Sequence, residues 1–137
     1  MQLPPALDRI VQRLARSSEP KRKYELLITL AQRLKAFPEE EKTPENKVAG
    51  CASQVFVVAN LEDEKVRFEG DSDSQLVKGL VALLVEGLSG LTPQEVVDLS
   101  PDFIKATGLD VSLTPSRANG FYNILAKMKQ KSQTLID

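Results

Sequence analysis

Residues 54–88 read QVFVVANLEDEKVRFEGDSDSQLVKGLVALLVEGL, and their apolar spacing changes twice. Residues 54–60 form a short run rich in β-branched and aromatic side chains, which predicts a strand. LEDE at 61–64 is polar and predicts a turn. Over residues 65–70 the pattern alternates, with Val66 and Phe68 on one face and Lys65, Arg67 and Glu69 on the other. That is the period of a half-buried antiparallel partner. LVKGLVALLVEGL then predicts a helix apolar on nearly every side, which has to lie deep in a core. Ser72 and Gln75 have capping-box spacing before it, and Gly87 or Gly90 can end it. A hairpin followed by a core helix, with helices on both sides in sequence, defines an α+β class: a small antiparallel sheet packed against several helices.

Upstream, Leu7, Ile10, Val11 and Leu14 recur at i, i+3, i+4 and i+7 behind Pro4 and Pro5, one face of a first helix. Ser17 to Pro20 breaks it. A second helix is expected from about residue 21 to 35, with Tyr24, Leu27, Ile28, Ala31 and Leu34 turned inward. Pro38 and Pro44 bracket a polar connection, and Val48 is placed to begin a third, shorter strand. Downstream, TPQE (92–95) is a capping box with proline at the first helical position. SPDFIKATG (100–108) begins at Ser100 and Pro101 and stops at Gly108. Thr114 and Pro115 open the last helix, whose core face is Phe121, Ile124, Leu125 and Met128. The expected organisation is one domain over 1–137: a first helix and linker over 1–20, a core over 21–130 and a tail over 131–137 that is free to fray.

Composition removes many functions. The chain has 137 residues, the size of one core, with 42% apolar residues to build it. Eighteen basic and nineteen acidic residues leave a net charge of −1, which offers no electrostatic case for nucleic acid. No apolar run reaches the roughly 20 residues needed to cross a bilayer, and the N-terminal stretch lacks the uninterrupted apolar run of a secretory signal. With no histidine, neither Ser-His-Asp nor Cys-His machinery can form. One cysteine cannot make an internal disulfide or a structural zinc site, and it suits a reducing compartment, so a cytoplasmic location is expected. No glycine-rich phosphate loop is present.

Three stretches could carry chemistry. The lone Cys51 lies in NKVAGCASQVFVV (46–58), after a glycine that lets the chain turn and before Ala52 and Ser53, which are too small to wall off the sulfur. Cysteine usually packs as a small hydrophobe, but this one sits on a loop between elements, where functional residues concentrate. Thiolate chemistry needs only a thiol, a way to ionise it and access; Lys47 is near enough to favour the thiolate. EGDSDSQ (69–75) reads first as a turn with carboxylates near a helix N-terminus. Asp71 and Asp73 have calcium-like spacing, but the rest of a calcium loop is missing, so no metal is expected. In LTPSRANG (113–120), capping explains Thr114 and Pro115. It does not explain Arg117, which the helix dipole does not favour there and which suits an acidic partner.

In this order, VAGCASQVFVV, FEGDSDSQLVKGLVALL, LTPQEVV and LTPSRANGF resemble the SufE family, the sulfur acceptors of group II cysteine desulfurases in iron–sulfur cluster assembly. YELLITLAQRL also resembles that family's second helix, and the likeness spans roughly residues 20–130. The resemblance implies an α+β fold like that of the cluster scaffold IscU. It implies that Cys51 carries the persulfide, that Arg117 faces the partner, and that Asp71, Ser72 and Asp73 flank the Cys loop; Gly50, Ser53 and Gln54 complete the expected partner-binding set. Two departures stand out: Phe56 where the family often has Trp, and KAFPEEEKTPE (35–45) in place of the common leucine-proline connection.

The implied function is to take sulfur from a SufS-type cysteine desulfurase, stimulate it, and pass the sulfur on to an iron–sulfur scaffold. The chain is then no enzyme in its own right and needs no cofactor; pyridoxal phosphate belongs to the desulfurase. A lone thiol suits that task, because a second one would capture the persulfide as a disulfide. Rival readings are a thiol redox sensor using Cys51, which lacks a resolving cysteine, and an interaction module with an inert thiol. A weak homodimer is left open, and neither nucleic acid nor membrane is expected as a partner. Between encounters the thiol is expected to turn inward, mostly buried in an apolar pocket beneath its loop.

Overall fold

A computed structural model describes residues 3–136. Positions 1, 2 and 137, at the ends of the expected first segment and of the tail, lie outside the described residues. The hairpin is β1 (Val55–Glu62) and β2 (Lys65–Ser72), antiparallel, with Val55 opposite Ser72 and Glu62 opposite Lys65. The turn is therefore Asp63–Glu64 alone, both with positive φ (52° and 67°), as a two-residue hairpin matched to strand twist requires. Leu61 and Glu62 continue β1, so the turn is shorter than the polar composition of LEDE implied. Val48 starts no strand. Lys47 makes one isolated bridge to Phe56, and the Val48 amide donates to the Val55 carbonyl at 2.8 Å.

The helices are α1 (Pro5–Ala15), α2 (Pro20–Gln32), α3 (Gln75–Leu88), α4 (Pro93–Asp98), α5 (Phe103–Ala106), α6 (Leu109–Ser112) and α7 (Pro115–Gln133). Two 3-10 turns, Glu39–Glu41 and Pro44–Asn46, occupy the polar connection after α2. α3 is the centre of the molecule, packed against α1, α2, α7 and β2. Its Leu80, Val81, Ala82, Leu83, Leu84 and Leu88 are wholly buried, each large one contributing about 1.5–3 kcal/mol of transfer free energy. Gly79 lets α2 approach closely: a Cβ there would stand 2.4 Å from the Leu27 carbonyl oxygen.

Two local expectations are corrected. The N-cap of α3 is Ser74, whose hydroxyl accepts from the Val77 amide; Ser72 still belongs to β2 and its hydroxyl accepts from the Ser74 amide. The hairpin runs two residues further than expected and displaces the cap. α3 stops at Leu88, with Gly87 inside it and Gly90 just beyond. On α2, Ile28 is 39% exposed, while Lys23, Leu27, Leu30 and Ala31 are buried. The face is rotated because Lys23 turns inward: its ammonium donates to the carbonyls of Leu14 and Thr107 (2.8 Å for the latter), tying the end of α1 to the end of α5. The Thr92–Glu95 capping box and the Thr114 cap form as expected. α7 buries Phe121, Ile124, Leu125 and Met128 and stays helical to Gln133, with Ser132 buried. Phe37, in the connection, lies over Phe56 with ring centroids 6.4 Å apart, filling space around the smaller ring at that position.

Candidate functional site

The loop from Lys47 to Gln54 crosses the amino-terminal half of α7 on its way into β1. Gly50 turns the chain with φ +78°, a conformation that costs a side-chain-bearing residue. The turn aims the next side chain inward. The Cys51 thiol is half-buried, packs at the edge of the core and points its Sγ at the Gly120 carbonyl of α7, 3.7 Å away. A Cβ on Gly120 would stand 3.5 Å from that sulfur, so the bare backbone of α7 lets the thiol lie against it. Burial raises the thiol pKa above its ordinary value, because desolvation penalises the thiolate. Lys47 is exposed and does not offset this desolvation.

Cys51, Ala52, Ser53, Val77, Thr114, Ser116, Arg117 and Gly120 line one cleft of about 290 Å³. It is polar on the α7 side and apolar at Val77, rather than the purely apolar pocket expected, and the thiol is half-buried rather than mostly buried. Arg117 reaches the cleft from the first turn of α7. Its amide donates to the Thr114 hydroxyl at 3.3 Å, while its side chain is exposed and, among the described residues, makes no ion pair. A guanidinium with its forked donors free beside a thiol can bind a carboxylate or orient a charged segment.

The acidic segment lies outside this cleft. Asp73 clasps the end of the Cys loop, its Oδ1 accepting from the Gln54 amide at 3.0 Å and its own amide donating to the Gln54 carbonyl at 3.2 Å. Asp71 pairs with Lys42 and Lys78, both at 3.6 Å. Asp71, Ser72 and Asp73 therefore brace the loop and its surroundings. Among the described residues, no three thiol or carboxylate groups converge as a metal ion would require. The structure brings Cys51, Ser53 and Arg117 together, sets Gly50 at the turn, and keeps Gln54 and Asp73 as a pair at the loop's end. Sequence reasoning missed Asn123, whose Nδ2 donates to the Gly50 carbonyl at 3.0 Å. Its spacing from Gly120, one helical turn, is the only local signal. A separate cleft of about 510 Å³ at the α1–α2 turn is lined by Arg13, Arg16, Arg22 and Lys23; of these, Arg13 and Arg16 suit the carboxyl end of α1.

A half-buried loop thiol lies against a helix backbone, with an unpaired arginine in the same cleft of an α+β domain. Over residues 8–132 the sequence matches the model of the SufE family, described as an Fe–S metabolism associated domain. The chain belongs to the SufE family. It is 60% identical over 130 residues to an uncharacterised SufE-like protein of Synechocystis, covering 95% of this chain and 82% of that one. It is 48% identical to SufE-like protein 1, chloroplastic/mitochondrial, of Arabidopsis thaliana, and 39% identical to the cysteine desulfuration protein SufE of Plasmodium vivax. These matches cover 96% and 98% of this chain but only 36% and 55% of those longer proteins. The solution structure of a hypothetical protein from Thermus thermophilus superposes with a TM-score of 0.82 at 25% identity, over 97% of both chains. None of the described helices is long and apolar enough to cross a membrane.

Proposed function

We propose that this chain accepts sulfur on Cys51 from a SufS-type cysteine desulfurase and carries it, as a persulfide, toward iron–sulfur cluster assembly. The observation that carries the reading is the Cys51 thiol held against Gly120 in a cleft it shares with the unpaired Arg117. The step is an exchange at sulfur. The Cys51 thiolate attacks the outer sulfur of the desulfurase persulfide, a new S–S bond forms, the old one breaks, and the desulfurase cysteine leaves as a thiolate that takes up a proton. No net oxidation occurs. The chain needs no imidazole, because the partner's site handles the proton, and the pyridoxal phosphate that makes the persulfide stays with the desulfurase.

Burial keeps the resting thiol protonated, which protects it and works against a peroxide sensor, whose thiolate must stand ready. Engagement of the partner draws the loop outward, a population shift toward an open state. Removal of persulfide from the desulfurase frees it for another turnover, which is how the chain stimulates its partner. The lone thiol suits a reducing compartment such as the cytoplasm. The test is sulfide release by a cysteine desulfurase with and without this chain, in the presence of a reductant. Wild-type protein accelerates release; if Cys51→Ser accelerates it equally, the proposal fails.

A further inference from the structure

The Gly50 carbonyl belongs to the same peptide plane as the Cys51 amide, so whatever holds that oxygen fixes the plane from which the Cys51 side chain departs. Asn123 holds it, through Nδ2, at 3.0 Å. One turn earlier on α7, the Gly120 carbonyl accepts from the Cys51 thiol. Residues three apart on a helix share a face, so α7 grips the loop at two neighbouring points. Gly50 makes this possible twice over: it adopts φ +78°, and a Cβ there would lie 2.5 Å from Asn123 Nδ2.

On the far side of the cysteine, Gln54 exchanges two hydrogen bonds with Asp73, donating one and accepting the other, and leads directly into β1. Between these anchors, Ala52 and Ser53 make no hydrogen bond among the described residues. The two ends of the loop are unequal. The Gln54 end is doubly tied and continuous with the sheet. Upstream the chain is tied at Val48, whose amide donates to the Val55 carbonyl, but Gly50 itself rests on one neutral hydrogen bond and is exposed, so its carbonyl can exchange Asn123 for water without being orphaned.

We infer that Asn123 is the positioning residue of the sulfur site: a latch that holds the Gly50 carbonyl, keeps the thiol seated on Gly120, and is the contact released when the loop opens. The inference deepens the sulfur-acceptor reading and rests on it. Asn123 touches no reacting atom; it acts through Gly50.

The test compares Asn123→Asp and Asn123→Ala with wild type in the free chain, by the alkylation rate of Cys51 with iodoacetamide at fixed pH. Asp keeps the shape of Asn but, when ionised, can only accept hydrogen bonds and cannot donate to the Gly50 oxygen. Both variants should react about 2- to 10-fold faster, the range set by one neutral hydrogen bond, with melting curves confirming that each is folded. In desulfurase assays the same variants should need less protein for half-maximal stimulation, because less of the binding energy goes into opening the loop. Unchanged alkylation in both variants overturns the latch. So does acceleration in Ala alone, which would make Asn123 a space-filler. Alkylation involves no desulfurase, so its outcome is separate from that of the sulfur-acceptor reading, which wild-type persulfide formation decides.

Discussion

Cys51 and Arg117 line the same cleft from different elements, one at the tip of a loop and the other in the first turn of α7. The thiol is turned in and half-buried, while the guanidinium is turned out. A partner that reaches the sulfur from this side meets Arg117 on the way. Arg117→Ala should therefore weaken desulfurase binding while leaving the melting temperature nearly unchanged. A charge-assisted contact buried in the complex is worth roughly 2–5 kcal/mol when one side is removed, whereas an exposed substitution shifts stability by about 0.5 kcal/mol or less. Calorimetric titration against the desulfurase checks it; equal affinity of the two proteins would remove Arg117 from the interface.

Cys51→Ser removes the thiol and little buried area. Its stability at neutral pH should differ from wild type by about 1 kcal/mol or less, while stimulation of the desulfurase is lost. Thermal melts run beside the sulfide assay separate a folded, inactive variant from an unfolded one.

Burial raises the Cys51 pKa, which fixes the sign of two pH effects. Alkylation of the free chain should have its midpoint above that of the unfolded thiol, and should return to the unfolded value in denaturant. The folded state also holds the thiol proton more tightly than the unfolded state. This contribution to stability is fully present below the unfolded pKa and is lost as pH rises through the folded one. Cys51→Ser should flatten that part of the alkaline stability profile. A wild-type midpoint at or below the unfolded value would mean that the thiol is not held inward in solution.

Lys23 is 5% exposed, and burial lowers its pKa, yet its two hydrogen bonds join α1 to α5. Lys23→Met keeps the aliphatic stem but leaves two buried carbonyls without their donor. The expected loss is about 2–4 kcal/mol, since bonds to a charged donor are worth about 1.5–3 each and the relief of desolvation offsets part. That corresponds to a melting temperature lower by roughly 6–15 °C. No change in melting would mean that the ammonium stabilises nothing.

What could be read ahead of the structure was mainly what is local. The Thr92–Glu95 box and the Thr114 cap depend on residues three apart, and α3 declares itself by its own apolar run. The errors lie where a distant partner decides. Ile28 looks like a core residue until Lys23 is drawn in by Thr107, 84 positions away. Ser72 looks like a cap until its strand pairs with Val55. In the candidate site, the sequence singled out Cys51 and Arg117, and the structure places them in one cleft. The grip of Asn123 on Gly50 spans 73 positions and leaves no periodicity to find.

The central claim is that Cys51 receives sulfur as a persulfide, and mass spectrometry of the chain tests it most directly. The chain is incubated with a SufS-type desulfurase and free cysteine, then trapped with an alkylating agent and digested. The sulfur-acceptor role requires one added sulfur on the peptide bearing Cys51, only when both desulfurase and cysteine are present, and none on Cys51→Ser. A Cys51 peptide that gains no sulfur from an active desulfurase, while the same thiol is readily oxidised by peroxide, would contradict it.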